Sequence, residues 1–124
     1  MRRLTMIAAS LALTLSAASP ALAALKPGAS APDFSTMAAK AGNSFPFSLS
    51  KQLKKGPVVL YFFPAAFTSG CTVEANQFAE ATDEFAKYGA TVIGLSADPI
   101  EKLAKFSTSE CRSKFAVAMA SSST

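Results

Sequence analysis

The sequence lacks histidine and tryptophan altogether and has only two cysteines among its 124 residues. Without histidine the chain can build neither a Ser-His-Asp triad nor a Cys-His nucleophile pair, and it has no ordinary His-rich zinc site. Two cysteines cannot complete a Cys₄ metal site or hold an iron–sulfur cluster alone. We therefore expect no metal and no cofactor, and chemistry that uses thiols, hydroxyls and carboxylates.

Charge is also sparse, with 12 Lys and Arg against 8 Asp and Glu. Half of the residues are hydrophobic, a composition that is too apolar for a disordered tail. The length allows one domain of modest size. The densest basic cluster, Lys51, Lys54 and Lys55, is typical of a solvated helix face. Nothing in this charge pattern indicates nucleic-acid binding.

The N-terminus has the pattern of a secretory signal peptide. Residues 1–3 are positively charged overall, Leu4–Ser19 is uncharged and rich in Leu and Ala, and small residues stand at Ala21 and Ala23. We predict cleavage after Ala23, which leaves one domain at 24–124 in the periplasm or outside the cell. The alternative, an uncleaved membrane anchor, is disfavoured because the apolar run is shorter than the ~20 residues that a bilayer span needs.

Hydrophobic patterning beyond the leader predicts an α/β domain with a parallel βαβ unit. The predicted elements are two strands before Ser50 joined by a turn near Ala41-Gly42-Asn43, a helical turn at Leu49–Lys54, a strand at Pro57–Phe63, a helix at Cys71–Tyr88, a strand at Thr91–Leu95, a helix opened by Asp98, a second helical piece from Ser107, and a strand at Phe115–Met119.

Two local patterns support more specific predictions. The continuous apolar run Pro57–Phe63 is typical of a strand buried on both faces in the middle of a parallel sheet. The run Asp98-Pro99-Ile100-Glu101 predicts a helix start with Asp98 as the cap. A repeated capping signature at Ser107 places Cys111 near the start of a further helical piece.

The loop from Pro64 to Cys71 joins the end of a predicted strand to the start of a predicted helix. Cys71 should lie in the first helical turn, where free backbone N–H groups and the helix dipole lower the pKa of a thiol from ~8.5. Thr68 can turn its hydroxyl toward the sulfur or toward a substrate oxygen, or it can cap the helix. Pro64 narrows the path by which a substrate approaches the thiol. The pattern indicates an activated thiol that reacts with peroxides and disulfides.

These residues resemble the peroxiredoxin family, whose pattern Pro-x-x-x-Thr/Ser-x-x-Cys is met by Pro64, Thr68 and Cys71. The surrounding FFPAAFTSGCTVEA is similar to the branch named after the bacterioferritin comigratory protein, the Q-type branch. Two landmarks of that branch, APDF at 31–34 and LSAD at 95–98, occur in the expected order. The resemblance runs from Lys26 to about Ala120.

The resemblance implies a thioredoxin-like fold with an N-terminal β-hairpin extension and reduction of hydrogen peroxide or organic hydroperoxides. Cys71 would be the peroxidatic cysteine, and Cys111 would resolve its sulfenic acid to a disulfide. Position 76, where many members place the resolver, is Asn76. Glu74 matches an acid that usually orients an arginine. An external dithiol, thioredoxin-like or glutaredoxin-like, would reduce the disulfide, and the protein would be a monomer or weak dimer.

The chain departs from the family pattern near its end. The family's active-site arginine lies in a downstream region that this sequence does not contain, and Arg112 does not occupy the motif position. We therefore expect a truncated domain, without the family's C-terminal β-hairpin and helix, in which Pro57–Phe63 is exposed along one edge.

Three alternatives remain open from the sequence. The cysteines could form a static structural disulfide, which is common in exported proteins. The chain could be a thioredoxin-like thiol-disulfide oxidoreductase, although that function favours a second cysteine where Glu74 stands. It could also be an inactive truncated module with only a structural or interaction role.

Overall fold

A computed structural model describes residues 25–121 and 124. The predicted signal peptide and its cleavage site lie outside the described residues. Pro32–Thr124 form one compact unit. Before this unit, the described residues 25–31 contain a turn in which the N–H of Ala29 donates to the carbonyl of Lys26 at 3.0 Å. In the described part of the chain, no helix is both long enough and apolar enough to cross a bilayer.

The compact unit is a five-stranded mixed sheet with three helices. Its elements are β1 (Ser35–Lys40), β2 (Asn43–Ser48), α1 (Leu49–Leu53), β3 (Val58–Phe62), α2 (Ser69–Lys87), β4 (Thr91–Ser96), α3 (Ile100–Ser109) and β5 (Ala116–Met119). The strand order is β2-β1-β5-β4-β3. Strands β3, β4 and β5 run parallel, and β1 is antiparallel to both β5 and β2. The α/β class and the parallel βαβ unit are confirmed.

A tight turn forms the hairpin of β1 and β2. Ala41 and Gly42 both adopt left-handed backbone conformations, with φ of 52° and 80°, and join the paired residues Lys40 and Asn43. Two such residues make the turn that matches the twist of a hairpin. The turn predicted at this place is confirmed. The N–H of Gly42 also donates to Oγ of Ser107 at 3.1 Å, so the hairpin is tied to α3.

The two faces of the sheet carry two hydrophobic clusters. Neighbouring residues of β4 divide between them, since Val92 belongs to the cluster beneath α2 and α3 whereas Ile93 belongs to the other. The helix-side cluster contains Phe63, Leu103, Phe106 and Phe115 together with both cysteines, Cys71 and Cys111. The candidate thiols therefore lie in the larger of the two hydrophobic clusters.

The position of β3 corrects the prediction that this strand lies in the middle of the sheet, and it confirms the expectation that the strand is exposed along one edge. The strand lies at the edge of the sheet, not in its middle; Val58–Tyr61 are half-buried, and Phe62 is 62% exposed. The strand buried between two parallel neighbours is β4. A run of apolar residues shows that a strand can be buried but not which strands flank it, so the order had to come from the tertiary structure.

The start and end of α3 correct two more predictions. The helix begins at Ile100 with Pro99 as its N-cap residue, so Asp98 does not cap it. It then continues unbroken to Ser109, and Cys111 follows its end instead of starting a second helix. The hydroxyl of Ser107 donates to the carbonyl of Ala104 at 2.7 Å, so this serine is accommodated inside the helix instead of capping a new one.

Candidate active site around Cys71

Cys71 is the third residue of α2 and is 7% exposed. The helix starts two residues earlier than predicted, and its first intrahelical bond runs from the N–H of Thr72 to the carbonyl of Thr68 at 2.9 Å. The amides before Thr72 have no carbonyl one turn back within the helix. An anion at this end is stabilised by those amides and by the helix dipole. The predicted placement of Cys71 in the first helical turn is confirmed.

The loop before Cys71 is held in a constrained conformation. Phe67 has a φ of 69°, an uncommon left-handed value for a bulky residue, and its ring meets Phe106 of α3 edge-on at 5.3 Å. The hydroxyl of Thr68 donates to the carbonyl of Ala65 at 3.0 Å and makes no capping bond to α2. Pro64 and Thr68 are both exposed. The capping alternative for the Thr68 side chain is therefore not realised.

Asp98, which lies between β4 and α3, accepts hydrogen bonds that attach it to this loop. Its Oδ2 accepts from the N–H of Ala66 at 2.6 Å and from the hydroxyl of Ser96 at 2.6 Å, and its Oδ1 accepts from Lys102 at 2.7 Å. Burial opposes ionisation of this side chain, but the bonds from Lys102, Ser96 and Ala66 outweigh it and hold the pKa of Asp98 below its ordinary value. The LSAD landmark contains this residue, but its local pattern predicts only a helix cap, because the contact with Ala66 spans 32 residues.

Cys111 lies just beyond α3 and is completely buried. Its N–H donates to the carbonyl of Phe106 at 3.1 Å. Burial, with a smaller contribution from the neighbouring Glu110 carboxylate, raises the pKa of the Cys111 thiol to about 12. This cysteine is therefore protonated at neutral pH in this conformation. Both cysteines are free thiols, so the static structural disulfide is not present.

The segment after Cys111 is attached to α2. Arg112 and Ser113 both have left-handed backbones, with φ of 50° and 57°. The guanidinium of Arg112 bonds to Glu80 at 3.2 Å, and Lys114 pairs with Asp83 at 3.8 Å. Glu80 is nine residues beyond Cys71, about 13 Å along the helix axis at 1.5 Å per residue. The guanidinium of Arg112 is therefore held away from the first turn of α2, where Cys71 lies.

Glu74 and Asn76 lie within the two helical turns after Cys71. The Glu74 side chain is exposed, and no ion pair to it is formed within residues 25–121. Asn76 uses its amide to donate to the carbonyl of Thr72 at 2.9 Å, a contact within the helix. Asn76 therefore acts as an ordinary helix residue.

Tyr61 was missed by the sequence predictions because it stood inside an apolar run. Its hydroxyl is buried and has no hydrogen-bond partner among the described residues. The ring stacks on Phe78 at 4.3 Å and packs against the cluster that contains both cysteines. Burial raises the pKa of this hydroxyl, and the charges of Cys111, Glu74 and Cys71 raise it further. Tyr61 is thus a neutral group at the border of this cluster.

Within the residues that the structure describes, no group of three or more His, Cys, Asp or Glu side chains could hold a metal ion.

Comparison with known proteins places these residues in a family. The AhpC/TSA family profile matches residues 27–123. The chloroplastic peroxiredoxin Q of Sedum lineare is 50% identical over 56 residues, which are 45% of this chain and 30% of that protein. The peroxiredoxin Bcp of Escherichia coli K12 is 45% identical over 53 residues, 43% of this chain and 34% of the relative.

A solved structure supports the same relationship. The crystal structure of peroxidoxin BcpB from Mycobacterium tuberculosis superposes with a TM-score of 0.64 and 40% sequence identity, covering 71% of this chain and 55% of that one. The predicted thioredoxin-like fold is confirmed by this match. The chain spans about a third of the length of the two curated relatives and about half of the solved one.

Proposed function

Because the chain belongs to the AhpC/TSA family of peroxiredoxins, in the branch of peroxiredoxin Q and Bcp, we propose that it is a thiol-dependent peroxidase that uses Cys71. The observation that carries the proposal is the placement of a nearly buried cysteine at the N-terminal end of α2, behind the Pro64–Thr68 loop. The substrates proposed are hydrogen peroxide and organic hydroperoxides.

The reaction follows from the chemistry of two thiols. The Cys71 thiolate attacks one peroxide oxygen, the O–O bond breaks, and the departing oxygen is protonated to give water or an alcohol. Cys71 is then a sulfenic acid. The Cys111 sulfur attacks the Cys71 sulfur, water leaves, and a disulfide remains. An external dithiol, thioredoxin-like or glutaredoxin-like, supplies two electrons and two protons to restore the thiols.

The resolving step requires the chain to rearrange around Cys111. A disulfide needs Cα atoms within ~7 Å and correctly directed Cβ atoms. The Cys111 thiol is fully buried and protonated, so its segment has to open before it can attack as a thiolate. Both cysteines belong to one chain, and a monomer or weak dimer is therefore sufficient for the cycle.

The Cys111→Ser variant tests the resolving role. We expect it to consume the first equivalent of peroxide at the parental rate and then to accumulate Cys71 sulfenic acid, which dimedone traps and mass spectrometry detects. The parent protein should instead lose both thiols and form a Cys71–Cys111 peptide pair. If Cys111→Ser turned over repeatedly with a dithiol at the parental rate, the resolving role would be wrong.

We also propose that the chain is exported and that residues 1–23 are removed. The supporting pattern is the positive start, the apolar stretch and the small residues at Ala21 and Ala23. Expressed in a bacterium, the protein should be recovered from the periplasm with Ala24 as its first residue, as read by intact mass. A matched Ala23→Tyr variant should remain uncleaved, and recovery of the parent in the cytoplasm with residues 1–23 attached would contradict export.

A further inference from the structure

We propose that Asp98 is a positioning residue for Cys71, which holds the loop before the peroxidatic cysteine through the backbone amide of Ala66. This inference rests on the proposed peroxidase function. It arises from the juxtaposition of a nearly buried carboxylate, in the loop after β4, with an amide 32 residues earlier in the chain.

Three donors from separate elements converge on this carboxylate. Ala66 comes from the loop after β3, Ser96 is the last residue of β4, and Lys102 lies in the first turn of α3. Only 11% of the Asp98 side chain is exposed. Strands β3 and β4 are parallel neighbours, with Phe62 paired to Leu95. The loops that follow them therefore begin at the same end of the two strands, the carboxyl end. Asp98 joins those two loops.

The orientation of the carboxylate is itself determined by neighbours. The hydroxyl of Ser96 donates to Oδ2 of Asp98 and accepts from the N–H of the same residue at 3.2 Å. Lys102 occupies the other carboxylate oxygen with a 2.7 Å ion pair. With Ser96 and Lys102 in these positions, Oδ2 is directed at Ala66. Hydrogen bonds of this charge-assisted kind are roughly twice as strong as neutral ones.

The position of Ala66 determines where α2 begins. Ala66 is 3% exposed and immediately precedes Phe67, the loop residue with a left-handed backbone. Thr68, the N-cap residue of α2, follows directly, and Cys71 lies three residues later. A strained residue persists only when its surroundings hold it. If the bond from Ala66 were lost, Phe67 could relax and the first turn of α2 would shift together with the sulfur.

A second contact keeps the loop attached when that bond is removed. The ring of Phe67 packs edge-on against Phe106 of α3. Loss of the Asp98 carboxylate is therefore expected to misplace the loop within a folded domain. A displacement of about 1 Å at a reacting group is enough to slow a reaction about 100-fold.

The experiment compares Cys71 reactivity in Asp98→Ala, Asp98→Asn and a matched control, Asp83→Ala. Asp83 is also an aspartate with a lysine partner, but 83% of its side chain is exposed. Two rates are measured for each variant. The first is the rate of iodoacetamide labelling of Cys71, followed by peptide mass spectrometry, and the second is the rate of single-turnover peroxide consumption. Each rate is divided by the folded fraction, which thermal unfolding gives. A purely structural role for Asp98 would lower the folded fraction and leave the rate per folded molecule unchanged.

We expect Asp98→Ala to slow both reactions at least about tenfold per folded molecule. Asp98→Asn keeps an oxygen that can accept from Ala66, and it should recover most of that loss. Asp83→Ala should match the parent. Parental rates per folded molecule in Asp98→Ala would overturn the proposal. An Asp98→Asn variant as slow as Asp98→Ala would also overturn it, because the hydrogen bond to Ala66 would then not be the cause.

Lys102→Gln keeps the proposal testable if Asp98→Ala does not fold. It removes the ion pair at a 40% exposed lysine and leaves the bond between Ala66 and Asp98 in place. We expect both Cys71 reactions to slow about threefold, because the Asp98 carboxylate loses one of the two side chains that orient it and keeps the other. If Asp98→Ala does not fold, parental rates in Lys102→Gln would refute the role of Asp98, because the orientation of its carboxylate would then have no effect on Cys71. Alkylation needs no peroxide, so absence of peroxidase activity in the parent would refute the proposed function without deciding the role of Asp98.

Discussion

Replacement of Cys71 by serine is expected to reduce peroxide consumption to the background rate. A serine hydroxyl remains protonated at the N-terminal end of α2, whereas a thiol can form the nucleophilic thiolate that attacks the O–O bond. Cys111 cannot substitute, because it is completely buried and burial raises its pKa to about 12. The measurement is hydrogen peroxide loss in the presence of excess dithiothreitol, with the reduced parent protein as reference.

The matched control is Cys111→Ser, which removes the other thiol and should retain the first turnover. Peroxide consumption by Cys71→Ser at the parental rate would show that the proposed peroxidase assignment is wrong. Parallel assays of insulin reduction separate the alternatives. Disulfide reduction without peroxide consumption would favour a thiol-disulfide oxidoreductase, and failure in both assays would favour the inactive module.

Phe106→Ala is expected to lower the free energy of unfolding by about 3–5 kcal/mol, the range for a phenylalanine removed from a core. Phe106 is fully buried, stacks on Phe63 at 5.3 Å, and meets the ring of Phe67 in the loop before Cys71 edge-on at 5.3 Å. The loss is a large share of the 5–15 kcal/mol that stabilises a typical domain. Urea unfolding of the reduced protein, followed by far-ultraviolet circular dichroism, measures it.

The control for this prediction is Phe62→Ala. Phe62 has the same side chain, but it is 62% exposed on the edge strand β3. Its removal should change the unfolding free energy by no more than about 0.5 kcal/mol, as is usual for surface positions. Equal losses in the two variants would mean that Phe106 is not the packing centre that links α3 to the loop.

Several features of this protein could be predicted because neighbouring residues determine them. Hydrophobic periodicity located the strands and helices to within a few residues, because burial of one face dictates the spacing of apolar side chains. The hairpin turn followed from the residues at Ala41 and Gly42. The placement of Cys71 in a first helical turn was also local, since a strand, a loop and a helix follow one another directly in the chain.

Other features depend on contacts between residues distant in sequence, which no local pattern contains. The edge position of β3 is a matter of strand order, and an apolar run has the same appearance at the edge as in the centre. The buried Tyr61 hydroxyl became visible only when its surroundings were known. The same holds for the attachment of Arg112 to Glu80, 32 residues apart.

The sequence by itself determined which cysteine is the candidate nucleophile and which helix carries it. Only the tertiary structure decided that Cys111 is a fully buried thiol beyond the end of α3, and that Asp98 holds the loop of Cys71 instead of capping a helix. The physical reason is that a side chain's chemistry depends on its solvent exposure and its hydrogen-bond partners. For Cys71 the helix end that it occupies is adjacent in the chain, whereas for Cys111 and Asp98 the folded sheet brings the surroundings together.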